Sequence, residues 1–321
     1  MDQPQILITG GTGFVGSHLV ELLHEQGYKN IHVTTYSEKP GLVNSLLPAT
    51  QIHQLDLTDQ EKTFALIGEI KPDQIYHLAS LAAVGKSFDN TKVVLDNNTQ
   101  LQLNILEAVK KLTPQARLLV IGSAMAYDLK HDYPDHSNQA ITETYPLGPA
   151  SPYAVSKAMQ DLLAYSYLQS FGLRIVRARP FNHIGERQTA DFAVASFAKQ
   201  IVAIENNQQP KLQVGNLTAI RDFTDVKDMV KAYQLLMEKG VIGEAYNIGS
   251  EQGYTIQDVL DKLIDLSKVK IKIEKDPARM RPSDIAVAVA DATKIKSLGW
   301  KPEIKIEETL ARIINDWRSN S

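Results

Sequence analysis

Short apolar runs alternate along the chain with longer stretches in which apolar residues recur every three or four positions. The runs predict strands, and the periodic stretches predict helices between them, the longest over 91–112. This alternation is typical of an α/β fold in which a Rossmann-type, doubly wound parallel sheet carries helices on both faces. The predicted strands lie at 6–9, 30–35, 51–57, 74–80, 117–122, 173–179 and 245–248.

The alternation loosens after about residue 180, where shorter strands and irregular segments follow the sixth strand. We expect a larger domain formed by 1–180 together with about 225–248. A smaller, discontinuous α/β domain, formed by about 181–224 and 249–321, would pack over the carboxyl ends of the strands. Ligands of such sheets bind at those ends, so the residues just past each strand are the candidates for function.

Composition narrows the class of protein. The 321 residues are 43% hydrophobic and 22% charged, with a net charge of −3 and no cysteine. These values favour an ordinary soluble protein, with neither a basic patch for nucleic acid nor disulfides. No apolar run is long enough to cross a membrane, and the early first strand leaves no room for a signal peptide. We therefore expect a cytoplasmic enzyme, and we expect no metal, since His131 and His136 lack a suitably spaced third ligand.

A glycine-rich turn joins the first strand directly to the first helix. Its glycines fit two spacings, Gly11-x-Gly13-x-x-Gly16 and Gly10-x-x-Gly13-x-x-Gly16. Glycine lets the backbone approach a pyrophosphate, and the start of the helix offers free N–H groups and the positive end of the helix dipole. The turn therefore predicts that the larger domain binds a dinucleotide.

The end of the second strand bears on the choice between NAD and NADP. NAD-binding sheets carry an acidic residue there, which accepts hydrogen bonds from the ribose hydroxyls. Here the positions are Thr34, Thr35, Tyr36 and Ser37, followed by Lys39. Small hydroxyls and a cation suit a 2′-phosphate better than a carboxylate does, so NADP(H) is favoured and NAD(H) is possible.

Asp56, which follows the third strand, is a second candidate near the adenosine. Its carboxylate could meet the adenine amino group. It could instead cap the next helix, although Thr58 or Asp59 could also do so.

Tyr153 and Lys157 form the sharpest pair of candidate catalytic residues. Of the twelve tyrosines, only Tyr153 has a lysine four residues further on, and the pair lies one turn apart in a helix predicted to begin at Ser151-Pro152. An ammonium beside the phenol is expected to lower the pKa of Tyr153 and so make it a proton donor and acceptor. Ser123, after the fifth strand, could hydrogen-bond the same substrate oxygen.

With these residues in place, the chain resembles the extended short-chain dehydrogenase/reductases, and among them the nucleotide-sugar epimerase/dehydratase group. The likeness rests on Gly10–Gly16, Ser123 and Tyr153–Lys157, and it favours the spacing that begins at Gly10. It implies hydride exchange at the nicotinamide C4, with Tyr153 as acid and base, Ser123 steadying the reacting oxygen and Lys157 holding the ribose. It also implies a homodimer through the two long helices. The cofactor-lining residues that it implies are Gly10, Gly13, Phe14, Val15, Gly16, Asp56, Leu57, Leu78, Ala79, Ser80, Asn98 and Pro180.

The second half of the chain is similar to GDP-6-deoxy-4-keto-mannose reductases, and GDP-mannose 4,6-dehydratases share part of the pattern. The similar segments are 179–185, 214–226 and 281–283. The likeness implies that Arg221 and Arg281 clamp the diphosphate of a nucleotide sugar, a task that suits bidentate guanidinium groups, with surface salt bridges as the alternative. The implied substrate-binding residues are Ser123, Asn182, Lys199, Val214, Arg221 and Arg281.

One position bears on the type of reaction. Dehydratases of this group place a glutamate where this chain has Met125, to handle the C5 proton and the leaving hydroxyl. A thioether cannot transfer a proton, so elimination of water is not expected. The similar reductases also tend to carry acids there, which leaves the identity of the sugar open.

The sequence therefore predicts an NADP(H)-dependent reductase of a nucleotide-linked 4-keto-6-deoxy sugar. GDP-4-keto-6-deoxy-D-mannose, reduced to GDP-D-rhamnose, is the favoured substrate. A nucleotide-sugar 4-epimerase with tightly bound NAD is the main alternative. A GDP-mannose 4,6-dehydratase and a non-enzymatic NADP sensor are less favoured.

Overall fold

The computed structural model of the chain describes residues 3–36, 41–82, 84–131, 140–280 and 285–320. The strands in these ranges are β1 (Ile6–Thr9), β2 (Ile31–Thr35), β3 (Ile52–Gln54), β4 (Gln74–His77), β5 (Arg117–Ile121), β6 (Arg174–Pro180), β7 (Asn182–Ile184), β8 (Leu212–Val214), β9 (Ile220–Asp225), β10 (Ala245–Ile248), β11 (Gly253–Thr255), β12 (Ile273–Lys275) and β13 (Val287–Ala288). The helices are α1 (Phe14–Glu25), α2 (Val43–Leu46), α3 (Gln60–Ile70), α4 (Val84–Asp89), α5 (Thr91–Leu112), α6 (Pro152–Phe171), α7 (Ala193–Glu205), α8 (Val226–Lys239), α9 (Ile256–Asp265), α10 (Thr293–Lys296) and α11 (Ile306–Ser319).

The main sheet has seven parallel strands in the order β10-β6-β5-β4-β1-β2-β3. All four residues of β1 are buried, because helices cover the sheet on both faces. The predicted doubly wound sheet is confirmed. Strand β4 ends at His77 rather than near Ser80, because the chain turns there and the N–H of Ala79 donates to Thr9 Oγ1 (3.1 Å).

Two apolar clusters hold the helices against this sheet. On one face α1 and α8 pack through residues such as Leu19 and Met237. On the other face α3, α5 and α6 pack through residues such as Ile67 and Ile105. Helix α6 begins as predicted, with Ser151 accepting a hydrogen bond from the N–H of Ala154 and proline at the first helical position. Within the described ranges, no helix is long and apolar enough to cross a membrane.

The smaller sheet stands beside the carboxyl ends of the main strands. Strand β9 is its centre and pairs with β7, β11 and β13, while β8 and β12 form a separate pair. Helices α7, α9 and α11 bury their apolar faces together against these strands. Since β7 begins two residues after β6 ends, the chain passes from the main sheet to the smaller one between Pro180 and Asn182. The domain boundaries given above remain predictions.

Candidate active site

A cleft of about 1350 Å³ lies where the carboxyl ends of the main strands face the smaller sheet. It exceeds the roughly 300–1,000 Å³ of a pocket for one drug-sized ligand. Both parts of the fold contribute to its walls, from Gly10 on one side to Met280 on the other. The cleft therefore has room for two ligands side by side.

The glycine turn forms one end of the cleft. Gly10 has a φ of +67°, which favours glycine, and a Cβ at Gly16 would lie 2.2 Å from the carbonyl oxygen of Gly10. Helix α1 starts after Gly13 with no side chain capping it and no acidic residue in its first turn. Its free N–H groups and dipole can therefore receive an anion, so these residues fit the pyrophosphate of a dinucleotide. Phe14 and Val15 also line the cleft.

The predicted adenosine side of the site is assembled next to this turn. Thr35 accepts a hydrogen bond from the hydroxyl of Thr12 (2.8 Å). Asp56 accepts from the N–H and hydroxyl of Thr58, while Asp59 caps α3. Ser37 and Lys39 lie outside the described residues. The predicted cofactor residues of this side that line the cleft are Thr35, Asp56, Leu57, Leu78, Ala79 and Ser80.

Asn98 is not among the residues that line the cleft. It is fully buried, and its amide accepts from the N–H of Leu81 (2.8 Å) and donates to Ser156 Oγ (2.9 Å). Asn98 thus joins α5 and α6 to the segment that follows β4, and its expected place at the cofactor remains a prediction. It supports the wall of the cleft from behind.

Ser123, Tyr153 and Lys157 come together at the centre of the cleft. Ser123 follows β5 and accepts a hydrogen bond from the N–H of Met125 (3.1 Å). Tyr153 stands in the first turn of α6, with Lys157 one turn further along the same face. The Lys157 ammonium is buried and donates to the carbonyl oxygen of Ile121 (2.9 Å). Pro180, at the end of β6, also lines this part.

The expected effect of Lys157 on the pKa of Tyr153 is corrected by the structure. Burial raises the pKa of the Tyr153 phenol, and only a hydrogen bond with Ser123 lowers it in part. Burial also lowers the pKa of Lys157 to about 7. A lysine that holds its charge only weakly does little to favour a phenolate. Tyr153 therefore keeps its proton at neutral pH, as a proton donor must.

Met125 lies in the short 3₁₀ turn Ala124–Ala126, next to Ser123, and its side chain lines the cleft. Ser123 and Tyr153 line the same cleft. No residue in this turn can transfer a proton. The position at which the similar dehydratases carry a glutamate therefore lines the cleft.

The structure places the predicted substrate residues in different surroundings. Asn182 and Arg221 line the cleft. Val214 is fully buried within β8 and does not line it, although Gly215 does. Lys199 is exposed on α7, with its ammonium 5.6 Å from the ring centre of Trp317 and away from the cleft.

Burial in β8 turns the Val214 side chain away from the cleft, and Lys199 lies beside Trp317, while the substrate-binding role of both residues remains a prediction. Arg281 lies outside the described residues. Arg279, which the sequence analysis did not single out, lines the cleft and contacts Asp276 (Nε–Oδ2 3.4 Å). Its backbone is so close to Gly215 that a Cβ there would lie 2.5 Å from the Arg279 carbonyl oxygen.

A buried ion cluster beneath the catalytic residues was also not anticipated. Asp161, two turns after Tyr153 on α6, accepts from Arg179 Nε (2.8 Å) and Arg177 Nη1 (2.6 Å). Burial alone raises the pKa of Asp161, but hydrogen bonds and charge from Arg179 and Arg177 outweigh it and keep that pKa low. Arg179 also donates to the hydroxyl of Tyr127 (3.0 Å). The sign of this cluster in the sequence was the four-residue spacing of Tyr153, Lys157 and Asp161, which puts the three side chains on one face of a helix.

Among the described residues, no group of three or more His, Cys, Asp or Glu is arranged to hold a metal ion. His131 contacts the carboxylate of Asp128 (2.6 Å). His136 lies outside the described residues.

A parallel sheet with a glycine turn at its first helix, and a Ser-Tyr-Lys set past its fifth strand, defines a short-chain dehydrogenase/reductase. The comparison with protein families narrows this class. The family model described as GDP-mannose 4,6 dehydratase matches residues 7–313, and the chain belongs to that family.

Individual relatives cover nearly the whole chain. GDP-6-deoxy-D-mannose reductase of Pseudomonas aeruginosa is 34% identical over 317 residues, which are 98% of this chain and 97% of the relative. The structure of RMD from Pseudomonas aeruginosa in complex with NADPH superposes with a TM-score of 0.84 at 30% identity, covering 99% of this chain and 100% of the other. UDP-glucose 4-epimerase of Thermus thermophilus with NAD gives 0.86 at 26% identity, covering 98% and 99%.

Proposed function

We propose that this protein is an NADP(H)-dependent reductase of a nucleotide-linked 4-keto-6-deoxy sugar. The favoured substrate is GDP-4-keto-6-deoxy-D-mannose, and the product would be GDP-D-rhamnose. The observation that carries the choice of reaction is Met125, which lines the cleft beside Ser123 where a dehydratase needs a proton-transferring side chain. The reductase from Pseudomonas aeruginosa, similar over 98% of this chain, and the NADPH-bound structure support the same choice.

The side chains at the centre of the cleft have separate tasks in this reaction. A dinucleotide held by the glycine turn and Lys157 would provide the hydride that the C4 carbon of the sugar accepts. Tyr153 donates its phenolic proton to the sugar oxygen, so the ketone gains one hydride and one proton and becomes an alcohol. Ser123 donates a hydrogen bond to the same oxygen and stabilises the charge that develops on it. Lys157 holds the ribose of the dinucleotide.

The nucleotide sugar would lie against the smaller sheet. Arg221 and Arg281 would together bind the diphosphate of the nucleotide sugar. Asn182, at the crossing between the two sheets, would contact the substrate near the diphosphate. The guanidinium of Arg279 on the same wall offers a further cation for the phosphates.

The proposal is tested with the purified protein, GDP-4-keto-6-deoxy-mannose and either NADPH or NADH. We expect oxidation of NADPH that depends on the keto sugar, and no conversion of GDP-mannose. Tyr153→Phe should lower turnover by about 10²-fold or more while NADPH still binds. Unchanged turnover in this variant would remove Tyr153 from the mechanism, and NADPH binding without any turnover in the wild type would favour a sensor.

The nucleotide is tested separately by thermal shift with GDP, UDP, dTDP and CDP, each with NADP and with NAD. GDP with NADP should stabilise the protein most, because ligands that bind only the folded state raise its unfolding temperature. Stabilisation by UDP in place of GDP would overturn the GDP assignment.

A 4-epimerase is the second candidate, since the UDP-glucose 4-epimerase of Thermus thermophilus gives a TM-score of 0.86. An epimerase recycles its cofactor within one turnover, so it should purify with NAD bound. A reductase must exchange its cofactor and consume NADPH. If the absorbance of the nicotinamide cofactor stays with the purified protein through gel filtration, the result would therefore favour the epimerase.

We also propose that the protein is a homodimer formed through α5 and α6. Large apolar side chains stand exposed on these two helices, which pack against each other along their length. The exposed residues are Val93, Leu112, Leu162, Tyr165 and Phe171.

A further inference from the structure

Tyr233 on α8 is a buried phenol that the proposed reaction does not use. Its side chain is 1% exposed and packs among the apolar residues between α8 and the main sheet, including Ile121 and Ala178. Tyr233 nevertheless lines the cleft. The small exposed part of Tyr233 therefore faces the cleft.

Within the described ranges the hydroxyls of Tyr233 and Tyr76, both in this apolar cluster, make no hydrogen bond, whereas those of Tyr127 and Tyr246 do. Tyr127 donates to Asn247 Oδ1 (2.7 Å), and the hydroxyl of Tyr246 accepts from the N–H of Val241 (3.0 Å). Because Tyr233 lines the cleft, its hydroxyl can pair with a ligand there, which the hydroxyl of Tyr76 cannot. A ligand in the cleft would supply the missing hydrogen bond.

The position of Tyr233 indicates which ligand this is. Helix α8 packs alongside α1 and beneath the ends of β5 and β6. Tyr153 lines the same cleft as Tyr233, and burial, followed by the charge of Tyr153, raises the pKa of Tyr233. Tyr233 therefore belongs to the floor of the cleft, the side on which α8 packs against α1, β5 and β6. A dinucleotide with its pyrophosphate at α1 must lay its nicotinamide half across this floor to bring C4 to the substrate.

We propose that the Tyr233 hydroxyl positions the nicotinamide ring by hydrogen-bonding its carboxamide. The carboxamide is a neutral group with both donors and an acceptor, and a neutral phenol can satisfy either. A phosphate is a poorer match, since the residues that pack around Tyr233 are apolar. This contact fixes the rotation of the ring and so aims C4 at the sugar carbon. The inference rests on the proposed function, because it requires a nicotinamide dinucleotide.

The test compares two ligands on Tyr233→Phe, a variant that removes one oxygen and keeps the ring in the core. NADPH binding is measured by the fluorescence of its nicotinamide ring. Adenosine 2′,5′-bisphosphate, which has no nicotinamide, is measured by its displacement of NADPH. We expect NADPH to bind about three- to tenfold more weakly and the bisphosphate to bind as to the wild type.

Tyr76→Phe is the matched control, since Tyr76 is equally buried in the same apolar cluster and does not line the cleft. It should leave both affinities unchanged. Wild-type affinity of Tyr233→Phe for NADPH overturns the inference, and so does an equal loss for both ligands, which would indicate a structural role. A wild-type protein that binds neither NADPH nor NADH overturns the proposed function instead.

Discussion

Lys157 is 3% exposed, and burial lowers its pKa from an ordinary value of 10.5 to about 7. The unfolded chain therefore binds more protons than the folded one between about pH 7 and pH 10.5. The free energy of unfolding should rise with pH across this window, as the unfolded lysine loses the charge that the folded one has already lost. The cation that we propose to hold the ribose is thus kept at a cost in stability.

We expect Lys157→Met to remove this rise and to be more stable than the wild type at pH 7 and below, while its turnover collapses. The measurement is the urea midpoint at several values between about pH 6 and pH 10. Lys29→Met, at an exposed position in the turn before β2, serves as the control and should follow the wild-type curve. A variant that is less stable than the wild type at pH 7 would contradict the burial argument.

At the scale of the element, α6 joins the residues at the centre of the cleft to the buried part of the main sheet. Tyr153, Lys157 and Asp161 stand at intervals of four residues, so one face of the helix carries the proposed proton donor, the proposed ribose contact and the buried anchor. Asp161 is fixed to β6 by two arginines, with distances of 2.6–2.9 Å. The helix therefore cannot rotate or slide without breaking these charge-assisted hydrogen bonds.

Asp161→Asn should lower the free energy of unfolding by about 3 kcal/mol or more, because Arg179 would remain buried without its counter-charge. Turnover at saturating substrate should also fall as Tyr153 loses its position. Chemical unfolding and steady-state kinetics measure the two effects. Asp265→Asn, at an exposed position at the end of α9, is the matched control. Wild-type stability of Asp161→Asn would show that the cluster does not hold the helix.

The elements of the main sheet were predictable because each buried parallel strand is a distinct apolar run, and helix α5 was predicted at its observed bounds. The catalytic set was predictable from a local spacing. The Asp161 cluster and the Tyr233 phenol were not, because they depend on which helix face meets which strand. The surroundings of Lys199 could not be predicted for the same reason, because its place on α7 gives no sign that Trp317 of α11 lies beside it.

At the scale of the whole molecule, the two layers of helices that cover the main sheet differ in how many large apolar side chains they leave exposed. On the α5 and α6 side, Leu162 is 52% and Phe171 is 52% exposed, although both helices are well packed on their inner faces. Apolar side chains grouped on neighbouring helices are typical of an interface between protein chains. A two-fold dimer would place α5 and α6 of one subunit against the same pair of its partner.

Leu162→Glu tests this arrangement, because a carboxylate at the centre of an apolar interface would be desolvated without a partner. We expect the wild type to have the mass of a dimer by light scattering after gel filtration, and the variant to shift toward the monomer. Val241→Glu, at an equally exposed apolar residue in the connection from α8 to β10, should remain dimeric. A monomeric wild type, or a Leu162→Glu variant that stays fully dimeric at low micromolar concentration, would exclude α6 as the interface. Since the active-site cleft lies at the carboxyl ends of the strands and not on this face, the monomeric variant should still bind NADPH.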